Sequence, residues 1–317
     1  IYCRTLLFAT DNELWIGTES GAYIYNLRTG KYTHLRSSEY DPYSLSDNAI
    51  YSFCKNREDG IWIGSYFGGV NYYPRSYTHF EKYYPKGEEN SLHGKRVREF
   101  CRDNYGVLWI GTEDGGLNRF NLNTKEFSFF APSAGFTNIH GLCLVDDKLW
   151  VGTFSKGLKI IDTRTGTVLK TYQKNSSPRS LIDNSIFAIC RTATGDIYLG
   201  TMFGLVKYNK QSDDFDRIPE LNGKFVYDIK EDSGGNIWLA TYANGAYCYN
   251  VNDRKWKNYV HDEKDTTSLS YDKVSSIFED SYHRIWLTTQ GGGFCLFHPE
   301  SETFTSYNST DGLPSDV

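Results

Sequence analysis

A short apolar motif returns seven times along the chain, and no other feature restricts the fold as strongly. It reads Leu14-Trp15-Ile16-Gly17-Thr18, Ile61-Trp62-Ile63-Gly64-Ser65, Leu108-Trp109-Ile110-Gly111-Thr112 and Leu149-Trp150-Val151-Gly152-Thr153. It continues as Ile197-Tyr198-Leu199-Gly200-Thr201, Ile237-Trp238-Leu239-Ala240-Thr241 and Ile285-Trp286-Leu287-Thr288-Thr289. The central aromatic residues stand 47, 47, 41, 48, 40 and 48 positions apart. A period of about 40–48 residues is the length of one four-stranded propeller blade, a unit that buries its apolar faces only against its neighbours.

Each repeat reads as four strands. In the third, Val97 to Arg102 is strand A, Val107 to Thr112 strand B, Leu117 to Asn121 strand C and Glu126 to Phe130 strand D. Gly and Asn residues fall in the turns between them, where hairpins need positive φ. Strands A and B are apolar enough to be covered on both faces, and no segment keeps a helical period. Counting back from the motif, strand A begins at Cys3, Ile50, Val97, Ile139, Ile186, Val226 and Val274. The expectation is an all-β chain forming one seven-bladed β-propeller of four-stranded antiparallel blades over 1–317. Trp15, Trp62, Trp109, Trp150, Trp238 and Trp286 should be buried between blades, and Trp256 more exposed. Val317 takes the phase of an eighth strand A, and Ile1 is no initiator methionine, so the chain is expected to be a window from a longer array.

Composition narrows the function. With 34 basic against 39 acidic residues the net charge is −5, and no basic stripe suits nucleic acid. No stretch approaches the ~20 apolar residues of a membrane span, and no leader opens the chain. The seven cysteines cannot all pair with one another. Cys54, Cys101 and Cys190 share one position of the repeat, inside apolar runs, and buried free thiols, one per blade on inner strands, are expected. No Cys-x-x-Cys or His-x-x-x-His spacing points to a metal, and no cofactor is expected.

The blades resemble the two-component-regulator propeller repeats found in the sensor regions of Bacteroides-type hybrid two-component systems. The residues that carry this are Glu231-Asp232-Ser233-Gly234-Gly235-Asn236-Ile237-Trp238-Leu239-Ala240-Thr241 and the run from Leu108 to Asn121. The lead-ins Ser44-Leu45-Ser46-Asp47-Asn48, Ser91-Leu92-His93-Gly94, Ser180-Leu181-Ile182-Asp183-Asn184 and Ser268-Leu269-Ser270 match as well. Tyr198 departs from the repeat's Trp, and Ala240 and Thr288 from its Gly. The resemblance implies a periplasmic sensor region that binds an oligosaccharide or glycan fragment. It implies adjacent propeller and β-sandwich domains of the same sensor, a homodimer in the full-length form, and a histidine kinase elsewhere in that protein.

Two sets of variable positions stand out on the face where B–C turns meet D–A connections. The turns carry Tyr66, Phe67, Phe154, Phe203 and Tyr242 where a hairpin tip is ordinarily polar, and aromatics there suit stacking on sugars. One residue into strand A the chain places Arg4, Tyr51, Arg98, His140, Phe187, Tyr227 and Ser275. Of these Tyr51, Arg98, His140 and Tyr227 are candidates to contact a ligand. His93, Lys95, Arg96 and Arg98 form the most basic local cluster and would suit an acidic sugar. The rival readings are a protein-binding scaffold, and a propeller glycoside hydrolase or lyase. A hydrolase needs two facing carboxylates, for which Glu19, Glu99, Glu113, Asp114 and Asp228 are available. No nucleophile motif such as Gly-x-Ser-x-Gly is present, so turnover is not expected.

Overall fold

The computed structural model describes residues 2–316 apart from 42, 76–80, 88 and 131–134. Seven antiparallel sheets follow one another along the chain, six of four strands and one of three. Every first strand begins at the residue the period predicts: Cys3, Ile50, Val97, Ile139, Ile186, Val226 and Val274. In blade 3 the strands are Val97–Arg102, Val107–Thr112, Gly116–Asn121 and Phe127–Phe130. The three-stranded sheet is blade 2, whose expected fourth strand runs into 76–80, outside the described residues. Among the described residues the only helical turns are the short 3-10 segments Pro219–Leu221 and Ser309–Asp311, and no helix is long and apolar enough to cross a membrane.

Two side-chain devices explain why the motif recurs. At the A–B turn, the Asp103 carboxylate accepts from the backbone N–H of Tyr105 (2.8 Å) and Val107 (2.9 Å) and from the Trp109 indole (3.0 Å). It closes the turn and fixes the indole in one step. Asp232 and Asp280 hold Trp238 and Trp286 in the same way, each at 2.9 Å. Blade 5 changes both partners together: Tyr198 stands for Trp, and Thr192 stands for Asp and accepts from the N–H of Asp196 at 3.0 Å. At the B–C turn, the buried Thr112 hydroxyl donates to the Gly116 carbonyl (2.9 Å) and accepts from the Gly115 N–H (3.0 Å). Thr153, Thr201, Thr241 and Thr289 repeat this pattern. Gly116 sits at φ 81°, and a Cβ there would lie 2.5 Å from the Phe136 carbonyl oxygen, so only glycine ends this turn.

By their internal contacts the blades fall into two compact units, Ile1–Ser91 and Leu92–Val317. In the first, Trp15 packs edge-on against Phe53 and Tyr73 of blade 2, at 5.7 and 5.0 Å between ring centroids. In the second, Trp150 packs on Tyr208 of blade 5 at 5.0 Å and Trp238 on Phe297 of blade 7 at 4.9 Å. A motif Trp is thus covered by the blade that follows it. Trp15, Trp109, Trp150 and Trp238 are buried, as expected. Trp62 is not: it is 46% exposed, because blade 2 ends its unit and no later blade of that unit covers it. Trp286, in the last blade of the second unit, is half-buried against Phe294 and Tyr307 of its own blade. Trp256 is half-buried against Tyr249, more exposed than the four buried motif Trp residues but not than Trp62.

The same rule corrects two further expectations. In blades 4, 5 and 6, which have neighbours on both sides within their unit, at most one first-strand residue is exposed, whereas Leu6, Phe8, Phe100 and Phe278 on the others are exposed. All seven cysteines are free, but Cys3 and Cys54 are exposed. Cys248 and Cys295 lie on third strands rather than first ones. Burial pushes the Cys101 thiol up to about 12 and the Cys190 thiol up to about 11, so both behave as apolar core groups.

Candidate functional site

The position one residue into strand A has a structural peculiarity. In all seven blades the ladder between first and second strands slips there: the register jumps from Cys3 to Thr5, Ile50 to Ser52, Val97 to Glu99, Ile139 to Gly141, Ile186 to Ala188, Val226 to Asp228 and Val274 to Ser276. The skipped residues are Arg4, Tyr51, Arg98, His140, Phe187, Tyr227 and Ser275. A residue left out of the ladder by a bulge can aim its side chain independently of the pleat, and bulges recur where a strand must present a functional group. In blades 2 to 7 the residue just before the first strand is tied to the B–C turn. Its carbonyl accepts the N–H of the first turn residue, as in Ala49 from Tyr66 (2.9 Å), Asn138 from Phe154 (2.9 Å), Ser185 from Met202 (3.2 Å) and Phe225 from Tyr242 (3.0 Å). The two variable sets read from the sequence are therefore joined backbone to backbone.

In the first unit this joins Tyr51, Tyr66 and Phe67. Tyr51 and Tyr66 stack at 5.0 Å, Phe67 meets Tyr66 edge-on at 4.3 Å, and the Arg4 guanidinium lies 4.3 Å over Tyr51. Arg4 is paired with Glu19. Phe67 is 87% exposed while its backbone N–H is held by Asp47 at 2.9 Å, so the turn is fixed and most of the ring faces solvent.

In the second unit, rings from three consecutive blades touch in sequence. His140 meets Phe187 at 4.6 Å and Phe154 at 6.0 Å; Phe187 meets Phe225 at 4.4 Å and Tyr227 at 5.7 Å; Phe225 stacks on Tyr242 at 5.4 Å. The Lys273 ammonium lies 4.1 Å over Tyr242. Phe187 is buried, whereas Phe154, Tyr242 and Phe203 keep an exposed face. Arg98 reaches from blade 3 to blade 6, where its guanidinium donates to the Tyr227 hydroxyl at 3.2 Å; its other partner is Glu113 at 3.6 Å.

Beneath this shelf lies a polar well of about 440 Å³, lined by bulge residues and their neighbours, among them Arg98, Glu99, His140, Phe187, Tyr227 and Asp228. Its size is that of a small-ligand site. His140 is 6% exposed and its Nδ1 atom has no hydrogen-bond partner. Burial, with the nearby Arg98 charge, pulls the imidazole down to about 4, so it is neutral under ordinary conditions. Burial, reinforced by the Asp228 charge, pushes the Glu99 carboxyl up to about 7. Asp228 is fully engaged: it accepts from the N–H of Ile229 (2.8 Å), the Ser276 hydroxyl (3.0 Å) and the N–H of Ile277 (3.0 Å).

Larger hollows exist but repeat. A groove of about 1010 Å³ runs between blades 4 and 5, over Trp150, Tyr172 and Tyr208. One of about 540 Å³ runs between blades 6 and 7, over Trp238, Tyr259 and Phe297. These are equivalent positions of the repeat, so the grooves come with blade packing. The polar well is instead lined by first-strand residues of five blades, from Val97 of blade 3 to Ser276 of blade 7. No group of His, Cys, Asp and Glu among the described residues is arranged to hold a metal ion.

Of the sequence candidates, Arg98, His140, Phe154, Tyr227 and Tyr242 come together in the second unit, and Tyr51, Tyr66 and Phe67 in the first. Phe203 stands exposed on its own turn. The basic cluster is partly paired. Arg96 and Arg98 share Glu113, at 3.8 and 3.6 Å, and the backbone N–H groups of Lys95 and Arg96 are held by Asp114 at 2.9 and 3.1 Å. His93 stacks on Phe129 at 3.6 Å. The sequence reading missed Phe225 and Lys273 as contact residues. Both directly precede strand A, and a count begun one residue earlier would have found them.

The sheet order and repeated turns define the class: an antiparallel β-propeller of seven blades. Four segments, 44–67, 91–114, 220–243 and 268–291, match the two component regulator propeller family, each running from a lead-in through the second strand to the B–C turn. Those four stretches of the chain are similar to two-component regulator propeller repeats. A stretch of 179 residues, 54% of this chain, is 24% identical to histidine kinase P4 of Formosa agariphila, of which it spans 13%. The extracellular domain of a hybrid two component system from B. thetaiotaomicron is 23% identical with a TM-score of 0.52, over 99% of this chain and 47% of that one. The extracellular domain of a one component system from the same bacterium is 19% identical with a TM-score of 0.57, over 96% of this chain and 38% of that one. The chain thus spans less than half the length of these relatives.

Proposed function

We propose that this chain is the ligand-sensing propeller of a periplasmic sensor region, and that it binds an oligosaccharide on the B–C turn face and passes the signal to a separate kinase part. In such a sensor it would act within a hybrid two-component system that regulates glycan utilisation, as a homodimer in contact with adjacent propeller or β-sandwich domains. The observation that carries the reading is the pairing of a half-exposed aromatic shelf with a polar well holding the unpartnered Nδ1 of buried His140. Exposed aromatics on one face are costly in water and fit the apolar faces of sugars. A buried polar atom without a partner is costly until a ligand supplies one. The turns are pinned by backbone hydrogen bonds, so the shelf is organised before a ligand arrives. A ligand would then shift the sensor only through its different affinity for two arrangements of the longer protein.

Turnover is not part of this reading. Asp228 accepts hydrogen bonds from the Ser276 hydroxyl and the Ile277 N–H of the next blade, which suits a carboxylate that ties two first strands together. The test is calorimetry of the purified chain against a panel of oligosaccharides, with reducing-sugar release followed in the same samples. Binding heat without release supports the reading. Release of reducing ends would make the chain a hydrolase, and silence across the panel would favour a protein-binding scaffold.

A further inference from the structure

Whether the ligand is charged or neutral can be read from what the well leaves unsatisfied. The guanidinium of Arg98, its one permanent charge of positive sign, lies 3.6 Å from Glu113 and 3.2 Å from the Tyr227 hydroxyl. The Asp228 side chain accepts from three donors at 2.8–3.0 Å. An anionic ligand would have to compete with Glu113 for Arg98 while lying beside Glu99 and Asp228, and a cationic one would have to displace the donors on Asp228, so an ionic ligand gives up pairings that a neutral one leaves intact. What remains for a newcomer is the Nδ1 of His140 and the carboxyl of Glu99. The aromatic faces of Phe187 and Tyr227, 5.7 Å apart and nearly parallel, add apolar surface beside them.

We propose that this well is a subsite for one uncharged sugar ring, with His140 and Glu99 bonding its hydroxyls, and that it excludes uronate and sulfated units. The proposal rests on the carbohydrate reading above and narrows it. Neutral hydroxyls match neutral partners that both donate and accept, and neither needs to be ionised for that task. Glu99 supplies a handle for the test. The charged and titratable groups around it are Asp228, Arg98, Cys101, His140 and, through Arg98, Glu113. Burial and Asp228 keep its proton in place up to about pH 7, and an enclosed ligand would hold it further by removing water. Above that range binding must either bury the ionised Glu99 beside Asp228 or recapture a proton, so affinity falls as pH rises.

The experiment is a labelled chain on an array of gluco-, manno-, xylo-, galacto- and arabino-oligosaccharides beside oligogalacturonates and heparin fragments. Calorimetry of the best neutral binder at about pH 6 and about pH 9 follows. A neutral oligosaccharide binds, the acidic ones do not, and affinity falls about tenfold or more between the two pH values. Glu99→Gln, isosteric and permanently neutral, keeps its affinity within about twofold over that range, and His140→Ala loses about tenfold at both. If His140→Ala unfolds, Glu99→Gln alone decides, because it removes only the proton equilibrium. Preferential binding of oligogalacturonates or heparin fragments, or an identical pH profile in parent and Glu99→Gln, overturns the neutral subsite and leaves the carbohydrate reading standing. If nothing on the array binds, the carbohydrate reading itself fails and this assignment falls with it.

Discussion

The two ends of the second strand differ in a way that organises the whole chain. At the A–B end, an Asp or its substitute closes the turn and holds the motif Trp, and the solution is nearly the same in blades 3, 6 and 7. At the other end the backbone is just as uniform, with a Thr-closed turn and a bulge one residue into strand A. There the side chains diverge: Arg98, His140, Phe187, Tyr227 and Ser275 occupy one position in five successive blades. The first end needs its side chains to satisfy the backbone and fill the space between blades. The second closes its turns mainly with Thr and Gly, helped by Asp47 and Asp114, and the bulge frees a side chain for other work. The large grooves lie over the uniform end and recur, while the polar well lies at the divergent end.

If that division is right, substitutions at the uniform end are felt in stability. Trp109→Ala should cost about 3–5 kcal/mol, as large-to-small changes in a closed core do. Trp62→Ala, at 46% exposure, should cost well under half of that. Denaturant midpoints of the two variants check this, and equal losses would show that both indoles are covered in solution. Next in size is a pH effect from the divergent end. Burial raises the Glu99 carboxyl from its ordinary 4.5 to about 7, so folded chains hold a proton that unfolded chains release. Stability from this group is present below about pH 4.5 and declines as pH rises to about 7. Glu99→Gln should match the parent at about pH 4 and exceed it by up to about 3 kcal/mol above about pH 8. A constant difference across pH would mean that Glu99 is solvated. Smallest is Asp103→Asn, which keeps the size but weakens three accepted bonds and should cost about 1–2 kcal/mol with a red-shifted Trp emission. No change in either would remove Asp103 from the account.

Much of this was legible in the sequence because the repeat averages over accidents. Seven copies in phase placed every first-strand start correctly, where a single copy would have been ambiguous between strand and buried helix. The bulge was not legible. It arises from backbone geometry, and the residues there share no type, so only their variability drew notice. Nor could sequence tell that Glu113 and Asp114 occupy the basic run of Lys95 to Arg98, since those carboxylates come from the next strand's turn. The exposure of Trp62 was invisible for a related reason: its residue type is set by the repeat, but its burial depends on which blade follows within the same unit.

The claim that ligand recognition belongs to the divergent end is tested most directly by dissociation constants for the best oligosaccharide, measured on two groups of single variants. Tyr66→Ala, Phe154→Ala and Tyr242→Ala sit on the turns, and Lys170→Ala and Lys207→Ala line the groove between blades 4 and 5. The account predicts that at least one turn variant weakens binding by about tenfold while remaining folded, and that both groove variants stay within about twofold of the parent. Weakened binding in the groove variants alone, with all three turn variants at parental affinity, would contradict it.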